Sequence, residues 1–184
     1  MKKAISKLQK WIANQDLLIR SVIKLYNQTR IIIGYRFAQT KDFHRNGEFL
    51  LLKTISDQIK YFVDVGANTG DYIHGILNLI NSDKIKIHAY EPSGTTFQFL
   101  AKKAGNLPQV EAFNIGLGSR KQKMIFYENP VYSETSSFVN ASIDGNTKPI
   151  SVLVDTIDNL YFDKGTVIDF LKIDTEGFDY QVLL

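Results

Sequence analysis

The N-terminal part of the chain has apolar residues at the spacing of a helix. From Ile5 to Tyr26 apolar residues recur at three- and four-residue steps, which places them along one helical face. This stripe of apolar residues is interrupted at Gln15, so the pattern predicts either two short helices or one long kinked helix. An apolar run over residues 31–33 predicts an extended or buried segment, and a further helix is predicted from Glu48 to near Ile59.

From Tyr61 onward the pattern changes to short apolar runs separated by helical stretches. Such alternation is typical of an open parallel sheet whose strands are buried on both faces and joined by helices. The predicted strands are residues 61–65, 85–90, 110–115 and 167–173, and the predicted helices are residues 71–80, 95–103 and a last one that begins near Glu176. The pattern therefore predicts the α/β class, with helices preceding the sheet.

The stretch between the third and fourth of these strands does not continue the alternation of strands and helices. Residues 123–127 and 150–154 predict two edge strands. A polar loop over residues 131–148, rich in Ser, Thr, Asn and Gly, separates them. The chain shows no internal repeat.

Composition narrows the class of protein. Hydrophobic residues make up 44% of the 184 positions and charged residues 22%, which favours one globular domain over a disordered or fibrous chain. The absence of cysteine excludes disulfides, thiolate metal sites and cysteine nucleophiles. No apolar run reaches the roughly 18 residues of a spanning helix, and Lys7, Lys10 and Asp16 interrupt any secretory signal. We therefore expect a cytoplasmic protein.

Charge is unevenly distributed along the chain. Residues 1–60 hold 12 Lys or Arg against four Asp or Glu, whereas the remainder holds 10 against 15. A basic amphipathic segment suits salt-sensitive contact with anionic lipid, nucleic acid or an acidic partner, and an ordinary solvated helix face has the same composition. Residues 1–47 are predicted to form a basic helical segment with peripheral membrane contact. No nucleic-acid partner is predicted.

The strongest chemical signal is the segment Asp64–Gly70, which follows a predicted strand and precedes a predicted helix. Glycines in such a turn let the backbone approach a ligand, and the helix N-terminus offers free N–H groups. The spacing matches neither G-x-G-x-x-G nor a phosphate loop, and Asp64 lies two residues before Gly66. An acidic residue there suits a ligand with a positive amino group. We predict that Asp64, Gly66, Asn68 and Gly70 bind a cofactor.

Two further polar residues end the next strands. Glu91, followed by Pro92, stands 21 residues beyond Gly70. In doubly wound sheets an acidic side chain at this point accepts hydrogen bonds from ribose hydroxyls. Asn114 ends the third strand in the same crevice, where its amide suits either an adenine edge or a turn. Glu91, Pro92 and Asn114 are therefore added to the predicted cofactor site.

The segment Asp169–Gly177 carries the predicted catalytic residues. Alternation places Lys172 and Asp174 on the same side of the fourth strand, at the end where ligands dock. Glu176 equally suits the first turn of a helix. Asp174 would take up the proton of a bound hydroxyl or orient that hydroxyl, with Lys172 and Glu176 beside it. Alternatively, Asp174 would hold Mg²⁺ with Asp155 or Glu176. Because the sequence shows no compact set of carboxylates, no metal site is predicted.

Together these motifs resemble the FkbM family of S-adenosylmethionine-dependent methyltransferases, over residues 48–184. The resemblance rests on Asp64–Gly70, Glu91–Pro92, Asn114–Leu117, Val152–Asp158 and, above all, Asp169–Gly177. It implies a Rossmann-like methyltransferase fold, S-adenosyl-L-methionine as cofactor, and methylation of a hydroxyl of a sugar, glycan or secondary metabolite. It also implies that Asp64 and Gly66 border the methionine moiety, Glu91 the ribose and Asn114 the adenine.

The chain departs from this family in one respect. A methyltransferase sheet of this kind has seven strands, and no sequence for the last three follows the fourth predicted strand. We therefore expect a sheet truncated after strand four, because the chain is a fragment, because a partner supplies the remaining strands, or because the family fold has been cut short. The open edge of strand four favours self-association. The alternative function is that of a non-catalytic fragment or pseudo-enzyme, which binds a partner or a membrane through the basic helices.

Overall fold

The computed structural model describes residues 47–80, 84–130, 133–139, 147–162 and 165–184, together with eight single positions between residues 15 and 29. No helix in these stretches is both long and apolar enough to cross a membrane. The chain divides into two compact units, Met1–Leu50 and Leu51–Leu184. In the first unit every described position from Leu18 to Thr29 is helical, as the apolar stripe predicts. The rest of that stripe and residues 31–33 lie outside the described residues, and the domain boundary after residue 47 stays a prediction.

From Glu48 onward helices and strands alternate, except over residues 110–155, where four strands follow one another with no described α-helix between them. The helices are α1 (Glu48–Ile55), which continues as a 3-10 turn over Ser56–Gln58, α2 (Asp71–Leu79), α3 (Gly94–Ala104), α4 (Ile157–Tyr161) and α5 (Asp179–Val182). The strands are β1 (Tyr61–Val65), β2 (Lys86–Tyr90), β3 (Val110–Phe113), β4 (Gly116–Leu117), β5 (Gln122–Glu128), β6 (Lys148–Asp155) and β7 (Phe170–Ile173). The first three predicted strands are thereby confirmed, with small differences at their ends.

In the described part of the chain, four parallel strands form the main sheet, in the order β3-β2-β1-β7. Val65, at the end of β1, pairs with Tyr90 of β2 on one side and with Ile173 of β7 on the other. The apolar side chains of β1 and β2 are almost wholly buried because both faces of the sheet are covered. The strand order reverses beside β1, and the crevice at such a reversal is where doubly wound sheets bind ligands. The predicted α/β class is confirmed.

Alternation along β1 assigns its side chains to two different faces. Val63 and Val65 pack in one core with Tyr161 of α4 and Val182 of α5. Phe62 points to the opposite face, where its ring centroid lies 6.4 Å from that of a tyrosine in α2. Asp64 shares this second face, so its carboxylate lies beneath α2.

A second sheet has three strands in the order β4-β6-β5. β5 and β6 are antiparallel, and β4 runs parallel to β6. The prediction of two edge strands is correct for β5 and wrong for β6, because Gly116 and Leu117 pair with Val154 and Asp155 at the end of β6. A strand of two residues is too short to leave a periodic pattern in the sequence.

The last predicted elements are shorter than the sequence indicates. β7 begins after residue 167, where Val167 is exposed. α5 begins at Asp179 and not near Glu176, because Glu176 and Gly177 have φ angles of +50° and +97°, which a right-handed helix does not contain. The sequence analysis did not predict α4, whose N-cap is the side chain of Thr156.

Candidate functional site

An open cleft lies at the carboxyl ends of β1, β2 and β7, with a cavity volume of about 110 Å³. The turns that follow these three strands supply much of its lining. Six of the predicted site residues line it, namely Gly66, Asn68, Glu91, Pro92, Asp174 and Glu176. The other four, Asp64, Gly70, Asn114 and Lys172, do not. The fold thus brings most of the residues predicted from separate motifs to one edge of the sheet.

Gly66 lets two turns approach each other. Its φ is +79°, and a Cβ atom at this position would lie 2.0 Å from the carbonyl oxygen of Asp174. Asp174 in turn donates its backbone N–H to Val65 at 2.9 Å, which continues the pairing of β7 with β1. The glycine is therefore required by the contact between the turns after β1 and β7. Its predicted contact with a cofactor stays a prediction.

Gly70 ends the same turn and is the N-cap of α2, with a φ of +82°. A Cβ atom there would lie 2.9 Å from the Cδ1 atom of Leu100 in α3. A second contact joins the same two helices, since the Nζ atom of Lys103 lies 2.6 Å from Oδ1 of Asp71. Gly70 therefore serves close packing between helices, behind the cleft.

Glu91 is the buried carboxylate of the cleft, with 6% of its surface exposed. Its Oε2 accepts the backbone N–H of Asn68 at 3.0 Å, and its Oε1 accepts that of Ser93 at 2.9 Å. Burial raises the pKa of Glu91 to about 7, assisted by the charges of Asp64 and Glu128, although the two hydrogen bonds oppose the shift. Glu91 is therefore held in a fixed position and changes charge near neutral pH.

Asn114 braces the turn that carries Glu91. Its Nδ2 donates to the backbone carbonyl of Glu91 at 2.9 Å and to that of Pro92 at 3.2 Å. The turn is therefore held by the side chain of Asn114, which follows β3, and by a backbone N–H of the turn after β1. The contact of Asn114 with adenine stays a prediction.

Lys172 and Asp64 form an ion pair behind the cleft. The Nζ atom lies 3.0 Å from Oδ1 of Asp64 and 3.7 Å from Oδ2 of Asp174, so the predicted placement of Lys172 and Asp174 on one side of the strand is confirmed. The same ammonium lies 5.0 Å from the ring centroid of Tyr72. Asp64 is fully buried and its Oδ2 has no hydrogen-bond partner in the described part of the chain. Burial raises the pKa of Asp64, and Lys172 opposes that shift.

The connection between β5 and β6 supplies cleft residues that the sequence analysis missed. Ser133, Ser136 and Phe138 line the cleft, and Phe126 of β5 lines it beside them. The ring of Phe138 packs against Phe126 at 5.0 Å and against Phe178 at 4.6 Å between centroids. Ser133, Ser136 and Phe138 lie in the predicted polar loop, where no periodicity indicates a contact with distant strand ends.

The described residues contain no group of three His, Asp or Glu side chains that is arranged to hold a metal ion. Asp155, the other carboxylate of the magnesium alternative, accepts the N–H groups of Thr156 and Asn159 and pairs with Lys121 at 3.0 Å. Its oxygens are therefore committed to contacts at the end of β6.

A family model matches most of the second compact unit, Leu51–Leu184. The sequence model of the family described as Methyltransferase FkbM domain matches residues 64–184. No curated protein matches the chain. A methyltransferase FkbM from Methylobacillus flagellatus KT is similar in structure, with 17% identity and a TM-score of 0.47, over 68% of this chain and 28% of that chain.

Two solved pieces of StiE O-MT, residues 961–1257 and 942–1257, are 15% and 14% identical to this chain, each with a TM-score of 0.33. They cover 47% and 49% of this chain and 34% and 46% of their own chains. The chain thus spans less than half the length of each of these solved structures. Because the family match covers more than half of the sequence and includes all three turns of the cleft, the chain belongs to the methyltransferase FkbM domain family.

Proposed function

We propose that the cleft binds S-adenosyl-L-methionine and that the domain transfers its methyl group to a hydroxyl oxygen of a sugar, glycan or secondary metabolite. The observation that carries this proposal is the position of Glu91. Its buried carboxylate stands at the carboxyl end of β2, directly beside the glycine turn after β1. That is where doubly wound sheets present an acidic side chain to ribose hydroxyls.

The geometry of Glu91 fits this role. Each carboxylate oxygen accepts one backbone N–H, from Asn68 or Ser93, and a carboxylate oxygen has two lone-pair sites. Both oxygens therefore keep acceptor capacity for a pair of hydroxyl donors. Since the Nδ2 of Asn114 is committed to backbone carbonyls, only its Oδ1 is left for a donor on adenine.

The charges along the cleft also fit a cationic ligand. Its charged lining residues are Glu91, Asp174 and Glu176, and no Lys or Arg is among the described residues that line it. Bound there, S-adenosylmethionine supplies an electrophilic methyl group on a positively charged sulfur. The carboxylates favour that charge electrostatically.

Asp174 is the residue of this chain that we assign to the acceptor. Its side chain is 64% exposed and belongs to the lining, so it can reach a hydroxyl that enters from solvent. The acceptor oxygen gains a methyl group and loses its proton, which Asp174 takes up and passes to solvent. Lys172, 3.7 Å from Oδ2 of Asp174, holds that carboxylate in place.

The proposal is tested by isothermal titration with S-adenosylhomocysteine. We expect saturable binding to the wild-type protein, and Glu91→Ala is expected to weaken it about 10- to 150-fold, the range for hydrogen bonds to a charged group. Glu111→Ala is the matched control, because Glu111 belongs to the same sheet, is about half exposed and pairs with Lys86 outside the cleft. A folded wild-type protein that does not bind S-adenosylhomocysteine would favour the non-catalytic alternative.

A further inference from the structure

Two residues of the cleft hold backbone conformations that L-amino acids rarely adopt. Asn68 and Glu176 each have a φ of +50°, and they are the non-glycine residues with positive φ in the described part of the chain. Asn tolerates this left-handed region better than most residues, whereas Glu has no side-chain geometry that favours it. Such conformations persist only where the surrounding structure holds them. The turns after β1 and β7 therefore need external support.

Both turns receive that support from one connection. Ser133 donates its hydroxyl to the Oδ1 of Asn68 at 3.0 Å. Ser137 donates its hydroxyl to the backbone carbonyl of Glu176 at 2.8 Å. The two serines lie four residues apart between β5 and β6, so a single segment of chain reaches both left-handed residues.

This connection is itself anchored to the second sheet. Ser137 and Tyr127 exchange both backbone hydrogen bonds, at 2.9 and 3.2 Å. The hydroxyl of Ser136 accepts the backbone N–H of Asn129 at 2.9 Å. Phe138 adds the ring contacts to Phe126 and Phe178. The hydroxyls of Ser133 and Ser137 are therefore offered from a fixed position.

The same connection closes a circuit of hydrogen bonds that passes through Glu91. Ser93 donates its hydroxyl to Glu128 at the end of β5 and its backbone N–H to Glu91. Glu91 accepts the N–H of Asn68, and Asn68 accepts the hydroxyl of Ser133, which follows β5. The position of the buried carboxylate and the conformation of Asn68 are thus fixed together.

We propose that Ser133 and Ser137 are positioning residues of the cleft, which hold the left-handed turns at Asn68 and Glu176 in the conformation that binds the cofactor. The proposal rests on the proposed function of the cleft. It gives the β5–β6 connection a role in cofactor binding that its polar composition does not indicate.

Titration with S-adenosylhomocysteine at a temperature where every variant is folded tests this role. Ser133→Ala and Ser137→Ala are each expected to weaken binding about three- to tenfold, as the loss of one neutral hydrogen bond does. Ser133→Thr, which keeps a hydroxyl at a half-buried site, is expected to restore most of the affinity. Ser56→Ala is the control, since Ser56 donates its hydroxyl to the backbone carbonyl of Lys53 and neither residue lines the cleft. Its affinity is expected to equal that of the wild type.

Hydrogen exchange of the ligand-free protein separates this inference from the proposed function. Ser137→Ala is expected to speed amide exchange over residues 175–177, and Ser133→Ala is expected to speed it at Asn68. If wild-type protein does not bind S-adenosylhomocysteine, the proposed function and the binding role of the serines both fail, whatever the exchange rates. If wild-type protein binds and both alanine variants bind equally well, or exchange at unchanged rates, the positioning role is overturned.

Discussion

The Nζ atom of Lys172 lies 3.0 Å from Oδ1 of Asp64, a carboxylate with no exposed surface. The contact joins β7 to β1 directly behind the cleft, and the second oxygen of Asp64 has no partner among the described residues. One ammonium therefore stabilises the charge of a buried acid. The 3.7 Å contact of the same ammonium with Asp174 links that pair to the exposed carboxylate of the cleft.

Lys172→Met is expected to be strongly destabilising because it leaves Asp64 buried without its cation. Removing one partner of a buried ion pair costs about 3–5 kcal/mol, and urea denaturation should show a loss of that order in the free energy of unfolding. The double variant Asp64→Asn with Lys172→Met removes both charges and should recover most of the loss. A Lys172→Met protein as stable as the wild type would show that Asp64 does not depend on this contact.

Gly66→Ala is expected to lower the free energy of unfolding by more than the strain of its left-handed backbone conformation alone explains. The added Cβ would lie 2.0 Å from the carbonyl oxygen of Asp174, so the turns after β1 and β7 would have to separate. Gly165→Ala is the matched control, since Gly165 has a φ of +64° and open space around its Cβ position. Thermal unfolding should show that the free energy of unfolding falls by roughly 1–2 kcal/mol in Gly165→Ala. It should fall by at least about 2 kcal/mol more in Gly66→Ala. Equal losses would mean that the approach of the two turns is not constrained.

Glu91 makes stability depend on pH in a direction opposite to that of most carboxylates. Its pKa of about 7 in the folded protein exceeds its ordinary value of 4.5, so between these values the folded state binds more protons than the unfolded state. Its contribution to the free energy of unfolding therefore falls as pH rises from about 4.5 to about 7, by roughly 3 kcal/mol in all. Glu91→Gln does not titrate, so the stability of the variant minus that of the wild type should grow over this window. A constant difference across these pH values would contradict the raised pKa.

Cofactor affinity is expected to follow the same titration with the opposite sign. Ribose hydroxyls donate to the ionised carboxylate, so the affinity for S-adenosylhomocysteine should rise with pH up to about 7 and level off above it. The slope is at most tenfold per pH unit for a single group. Titration calorimetry at several pH values measures it, and Glu91→Gln should bind more weakly with a flatter profile. A wild-type affinity that does not change below pH 7 would assign the ribose to another residue.

Asp174→Asn is expected to lower methyl transfer far more than it lowers the affinity for S-adenosylhomocysteine. The amide keeps the shape of the side chain and cannot take up the hydroxyl proton, so turnover should fall by about 10²- to 10⁴-fold. Transfer of a labelled methyl group to a panel of hydroxyl compounds measures this. EDTA should leave wild-type turnover intact, and activity that returns only with Mg²⁺ would favour the metal-assisted alternative.

Local patterns predicted the parts of the fold that depend on near neighbours in sequence. β1 and the glycine turn after it are predicted because a buried strand, a glycine-bearing turn and a helix start are each indicated by adjacent residues. The position of Glu91 followed from the length of one strand–helix–strand unit. Each of these features depends on a stretch shorter than about 30 residues.

Such local patterns do not predict contacts between segments that are distant in the sequence. β4 has two residues and exists only because it pairs with β6, nearly 40 positions further along the chain. Ser133 and Ser137 stand in a polar loop, and their hydroxyls meet Asn68 and Glu176 only in the folded chain. For the same reason the sequence indicates a glycine turn at Gly66 and does not reveal that a Cβ atom there would meet the carbonyl oxygen of Asp174.

Hydrogen exchange with and without S-adenosylhomocysteine tests most directly whether this cleft is the cofactor site, because it locates binding along the chain. At saturating ligand, exchange is expected to slow over residues 66–70, 91–94 and 174–177, the turns that line the cleft or adjoin it, and to stay unchanged over α1. Exchange that slows elsewhere and is unchanged at these three turns, or a wild-type protein whose exchange does not respond to the ligand, would contradict the assignment of the cleft.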